Sequence, residues 1–286
     1  MGSEITKYEM SVEVLTYLLR KTNSVKECTT IYFVTDLVRT EESELGKKAL
    51  KKIQSLLRKA KSFQECMEIW LEAPYMSAVA VEALKKTLSR AKSFQECVKI
   101  HVEGPYEYGE DLYNKVINKT LSFMNDKSLL HEYIKVCNEE TLPCSEITVK
   151  VLEKAFIMAD SFEEYMDICD KTLGMHELKY KVLNKALNTV DSFQKGIELY
   201  ARCLAERELH DKIIDVTLNF VDNTKSLREY MDIYDEKIPV WDEMRNKILE
   251  KFLSMENSSE EYARIYLEAS DSGVKAKALE KAYKSL

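Results

Sequence analysis

Apolar residues along this chain recur at helical rather than alternating spacing. In the stretch beginning at Ser161 they fall at positions 2, 5, 6, 8 and 9, as Phe162, Tyr165, Met166, Ile168 and Cys169. That pattern predicts an amphipathic helix and excludes a half-buried strand. A second stretch, residues 181–190, carries Val182, Leu183, Ala186, Leu187 and Val190 on one wide apolar face. Serine opens the first kind of helix, and a glutamate often stands three residues later. Ser62/Glu65, Ser93/Glu96, Ser161/Glu164 and Ser226/Glu229 all fit the reciprocal capping arrangement. We name the serine-capped helix A and the other helix B.

Both phrases repeat along the chain. Helix A reads SFQECMEI at 62–69, SFQECVKI at 93–100, SFEEYMDI at 161–168 and SFQKGIEL at 192–199. Looser copies begin at residues 24, 129, 226 and 258, so eight copies lie 31–38 residues apart. Helix B precedes most copies, as VEALKKTLSRA (81–91), KVLEKAFIMA (150–159), KVLNKALNTV (181–190) and KILEKFLSM (247–255). A last B phrase, KALEKAYKSL, closes residues 277–286. One helix pair cannot bury faces this wide, whereas stacked neighbours can. The expected fold is therefore all-α: a right-handed α-solenoid of about eight two-helix repeats and about 17 helices, in one domain over 1–286. Residues 1–23 are expected to form an N-terminal helix or cap, 24–273 the helix pairs, and 274–286 a C-terminal capping helix.

Helix breakers support this register. The chain has only seven glycines and four prolines, too few for the turns of an all-β fold. Pro74, Pro105, Pro143 and Pro239 each fall just after a helix A, and Gly46, Gly104, Gly109, Gly174 and Gly273 are expected in the same A-to-B connection. A two-helix repeat near 34 residues resembles the tetratricopeptide class, over roughly residues 8–286, in period and helix pairing. No copy shows the Trp-x-x-Leu-Gly-x-x-Tyr pattern of that class, so no functional residue carries over. The resemblance implies binding of partner proteins in a concave groove lined by the A helices.

Charge divides unevenly. Residues 1–143 hold 21 basic and 21 acidic groups, and residues 144–286 hold 21 and 28, so the net charge of −7 belongs to the second half. Asp167 and Asp232 share one slot of helix A, and Asp170 and Asp235 share another. Stacking would align them into acidic rows that attract a basic segment. Position 9 of helix A is aromatic or histidine in Tyr32, Trp70, His101, Tyr200, Tyr234 and Tyr266. These residues are expected either to pack between repeats or to form a ridge that anchors a partner. The B helices of the first half carry the opposite charge. Lys47, Lys48, Lys51, Lys52, Arg58, Lys59 and Lys61 lie in 47–61 without an acid, and Lys85, Lys86, Arg90 and Lys92 follow in 85–92. A basic stripe of Lys51, Lys52, Arg58, Lys59, Lys85 and Lys86 would suit phosphates, which makes nucleic-acid binding the alternative function.

Candidate chemistry adds little. His101, His131, His176 and His210 are scattered, and no metal-ligand spacing is present, so no metal site is expected. Seven cysteines without a CxxC fit free core thiols, and Cys28, Cys66 and Cys97 share one helix A slot. No phosphate-binding glycine loop or nucleophile elbow occurs, so neither an enzyme nor a cofactor is expected. No run of about 18 apolar residues and no signal-peptide pattern occurs, so we expect a cytoplasmic protein without a membrane span. The expected function is a non-enzymatic protein–protein interaction scaffold, binding an extended or helical protein or peptide segment along the A face, which is acidic in its C-terminal half and would suit a basic segment.

Overall fold

The structure is a computed structural model. It describes residues 13–36, 44–140, 145–203, 207–221, 226–237, 243–255 and 257–285, with the side chains of 36, 105–106, 137–140 and 207 left aside. Helices and their connections make up all of this, and no strand occurs among the described residues. The chain forms two compact units, residues 1–151 and 152–286.

In the first unit, α1 occupies 13–21. The A helices are α2 (Val25–Asp36), α4 (Phe63–Glu72), α6 (Phe94–Val102) and α8 (Leu130–Glu140). The B helices are α3 (Glu44–Lys59), α5 (Ala78–Arg90), α7 (Glu110–Ser122) and α9 (Glu146–Met158), the last running across the division at residue 151. Each A packs on the B that follows it (α2 on α3, α4 on α5, α6 on α7), while α2 stacks on α4, α6 on α8 and α3 on α5. A continuous core runs from Leu19 through Ile53, Leu84 and Cys97 to Val116.

The second unit repeats this plan. Its A helices are α10 (Phe162–Cys169), α12 (Phe193–Arg202), α14 (Leu227–Lys237) and α16 (Ser259–Glu268). Its B helices are α11 (His176–Leu187), α13 (Arg207–Leu218), α15 (Glu243–Ser254) and α17 (Ser272–Lys284). Like stacks on like: α10, α12 and α14 in one row, and α11, α13, α15 and α17 in the other. This is a helical-repeat protein, as the period predicts.

Local chemistry accounts for the helix ends. Ser62, Ser161 and Ser226 each accept a hydrogen bond from the backbone N–H of Glu65, Glu164 and Glu229, whose carboxylates accept in return from the serine N–H. Ser93 accepts from the Glu96 N–H, but the Glu96 carboxylate takes the N–H of Lys92, one residue earlier than expected. Pro74 and Pro105 lie in A-to-B connections, whereas Pro143 and Pro239 fall outside the described residues. Gly104 and Gly109, in the α6–α7 connection, adopt φ of 86° and 101°, values that L side chains rarely reach. Two glycines depart from expectation. Gly46 and Gly273 sit in the first turns of α3 and α17, because those helices start earlier than the breaker rule suggests. Asp271 caps α17 by accepting from the N–H groups of Gly273 and Val274.

The candidate functional site: the A-helix face

Counting from the capping serine, positions 5 and 9 of helix A lie four residues apart, hence on the same side of the helix. Position 5 is core throughout, so position 9 is drawn inward with it. Trp70 is 2% exposed, and Tyr200 and Tyr234 are 0% exposed. His101 is buried as well. The aromatic ridge expected at this slot is therefore interior, and a ring without exposed surface offers no anchor to a partner. Each ring instead meets a residue of the adjoining B helix or connection. Trp70 packs edge-on against Tyr108 at 6.1 Å, while tilted ring pairs join His101 to Tyr113 at 5.5 Å and Tyr200 to His210 at 4.4 Å. The Arg245 guanidinium lies over Tyr234 at 5.8 Å. Burial holds the His101 imidazole below its usual pKa, against the opposing pull of the Glu146 carboxylate. Among the described side chains at this slot, Tyr32 is half-buried and Tyr266 is 40% exposed.

One residue further on the picture reverses. Position 10 shares a side with the polar positions 3 and 7, and in α2, α4 and α6 it is apolar. Phe33, Leu71 and Val102, one each from α2, α4 and α6, are 47–48% exposed. Tyr75 and Met76, in the α4–α5 connection, widen this patch. Glu68, Glu72 and Glu103 flank it at positions 7 and 11, with Lys99 beside them, all exposed. On the same face a groove of about 480 Å³ lies across α4, α6 and α8, lined by Phe63, Gln64, Gln95, Lys99 and Val136. The row is present in the sequence, but position 9 is the aromatic slot, and aromatics rather than single aliphatics read as anchors.

Arginines meet the acidic slots of the second unit. Arg202 on α12 grips Asp170 with two hydrogen bonds, Nε to Oδ1 at 2.7 Å and Nη2 to Oδ2 at 3.0 Å. The buried Arg245 of α15 pairs with Asp235 and, at 2.5 Å, with Glu268. Asp232 faces Arg228 at 3.8 Å, and Asp167 is half-buried. A depression of about 250 Å³ beside Asp232 and Asp235 is lined by Arg228 and Arg264 as well. The aligned aspartates thus sit in a network of alternating charge, which weakens the continuous acidic row expected from stacking.

The basic stripe divides as well. The ammonium of Lys52 donates to the Arg20 carbonyl at 3.3 Å, and that of Lys86 to the Leu57 carbonyl at 2.5 Å. Lys52 is thereby tied to the C-terminal end of α1 and Lys86 to that of α3. Lys51, Arg58, Lys59 and Lys85 remain exposed.

No protein family matches the chain, and no curated protein matches it either. A solved structure titled "Computational Design of Self-Assembling Cyclic Protein Homooligomers" aligns over 98% of this chain and 92% of its own, at 12% identity. Its TM-score of 0.12 is too low to carry any argument. The class defined by fold and surface is thus the helical-repeat protein. Among the described residues no helix is long and apolar enough to cross a membrane.

Proposed function

We propose that this protein is a non-enzymatic, tetratricopeptide-like scaffold that binds a basic amphipathic helix of a partner protein across the A helices of its first unit. The observation that carries this reading is the row Phe33, Leu71 and Val102, one exposed apolar side chain from each of α2, α4 and α6. Packed helices lie about 8–10 Å apart. A partner helix laid across them rises about 10.5 Å in seven residues, so its positions i, i+7 and i+14 meet the row. An extended segment presents one face about every 6.7 Å and does not match that step. Glu68, Glu72 and Glu103 favour lysine or arginine beside the partner's apolar stripe. The alternative, nucleic acid on the B helices, keeps Lys51, Arg58, Lys59 and Lys85 but loses Lys52 and Lys86 to helix ends. Buried free thiols at Cys28, Cys66, Cys97, Cys169 and Cys203 support a reducing compartment such as the cytoplasm.

Selection from a random peptide-display library tests the reading. Enriched peptides should carry apolar residues at i, i+3 or i+4, and i+7, together with lysine or arginine. Their affinity should fall at least tenfold for the double variant Leu71→Asp/Val102→Asp, whose melting temperature stays near wild type because both sites are exposed. Selected peptides that bind the double variant equally well would overturn it. So would retention of RNA in a low-salt gel shift with no peptide enriched.

A further inference from the structure

The second unit brings together three metal-ligating side chains, none of them part of the A-face patch. His210 and Asp211 stand near the start of α13, and Glu243 is the first residue of α15. These are successive B helices and pack on one another. An imidazole nitrogen of His210 and a carboxylate oxygen from each of Asp211 and Glu243 all lie within 4.8 Å of one another. His210 and Glu243 are one repeat apart in sequence. A search for local ligand spacing therefore passes over them, and only stacking brings them together. The expectation of no metal-ligating group rested on that local spacing.

The geometry points to a divalent transition-metal site, with Zn²⁺ as its natural occupant, held by His210, Asp211 and Glu243. Two features single this cluster out from ordinary surface acids. First, the His210 ring is stacked on Tyr200, whose side chain is fully buried, at 4.4 Å and 39°. A fixed platform thus sets the imidazole plane, much as outer partners orient metal-ligating histidines. Second, several carboxylates of this unit have a protein cation: Asp170 has Arg202, Asp235 and Glu268 share Arg245, and Glu163 has Lys195. Asp211 and Glu243 converge on an imidazole instead. Its first-turn place on α15 makes an acidic residue favourable at 243, but does not account for the convergence.

The donor set suits the ion. Imidazole nitrogen together with carboxylate oxygen is a common Zn²⁺ environment, and three protein ligands leave one position for water. Bond lengths of about 2.0–2.2 Å place tetrahedral ligand atoms about 3.4 Å apart. Ligand atoms within 4.8 Å need only small side-chain rotations to close, and Asp211 and Glu243 are exposed and free to make them. Binding would tie α13 to α15.

The test uses the full chain without any affinity tag. Zn²⁺ titration calorimetry at pH 7.5 should give one site per chain. Co²⁺ should produce visible d–d bands without the charge-transfer band of thiolate ligation. His210→Ala and Glu243→Gln should each weaken Zn²⁺ binding at least tenfold, while His176→Ala leaves it unchanged. Melting curves in chelator should match wild type for Glu243→Gln, which separates lost ligation from lost folding. Zn²⁺ should raise the wild-type melting temperature, and this rise should vanish in both ligand variants. Absence of stoichiometric binding, equal binding by the two ligand variants, or a thiolate charge-transfer band would each overturn the assignment.

Discussion

At the scale of single residues, helix A is tuned at position 5. The slot holds cysteine in α2, α4 and α6, glycine in α12 and tyrosine in α8, α10, α14 and α16. Each tyrosine hydroxyl donates to a carbonyl at the end of the preceding B helix: Tyr133 to Phe123, Tyr165 to Ala159, Tyr230 to Phe220 and Tyr262 to Met255. A buried phenol thus gains a partner, and an orphan helix-end carbonyl is satisfied. Where the slot is small, a B-helix threonine can fill the space. Thr120 hydrogen-bonds Cys97, and Thr217 closes over Gly196. A Cβ on Gly196 would lie 2.7 Å from Cγ2 and 2.9 Å from Cβ of Thr217, and closer still to its hydroxyl. Gly196→Ala should therefore destabilise by roughly 1–3 kcal/mol through overpacking. Adding Thr217→Ala should recover part of that loss, so urea melts of the two single variants and the double should show clear non-additivity. Additive effects would mean that the two sites do not touch.

At the scale of helices, the serine caps and apolar faces follow local rules and were readable from the sequence. The use of one lysine slot, filled in seven of the eight B helices, was not. Lys86 on α5 reaches the end of α3, Lys119 on α7 the end of α5, and Lys281 on α17 the end of α15. A cation at a helix C-terminus meets unsatisfied carbonyls and the negative end of the helix dipole. The same B-helix slot carries Lys52, Lys154, Lys185 and Lys251, so the register of the stack is written in a residue that reads as solvated charge. Lys86→Met should cost about 1 kcal/mol, seen as a lower urea midpoint at unchanged slope. Lys85→Met, exposed one residue away, should change stability by less than about 0.5 kcal/mol. Equal effects of the two would remove the capping role. Neighbouring residues differ here because about 100° of helix rotation separates them, and only the packed partner shows which one turns inward.

At the scale of the whole chain, charge and thiols report on the two units separately. Glu146 and Lys150 cancel, so the unit 1–151 is neutral and the unit 152–286 carries the net −7. Five of the seven cysteines are described as buried and free, while Cys137 and Cys144 lie outside the described side chains. Burial pushes the Cys97 thiol up to about 11, and raises Cys28 and Cys66 above their ordinary value. The attacking species in alkylation is the thiolate, so these groups should stay unlabelled at pH 8 until the helices open. Native protein should expose at most two reactive thiols to a disulfide reagent, and denaturant should release the other five. Cys28, in the first helix pair, should label before Cys97, because terminal repeats open at lower cost. More than two fast thiols would contradict the packing. The sequence by itself determined the all-α repeat, its period, its pairing and its serine caps, because these arise from periodicity and from hydrogen bonds within a few residues. The tertiary structure alone decided that position 9 turns inward and position 10 outward. It also decided that Asp170 and Asp235 meet arginines, that Lys52 and Lys86 cap helices, and that His210 meets Glu243. Each of these depends on how one repeat rotates and settles against the next, and no spacing within a single repeat encodes that.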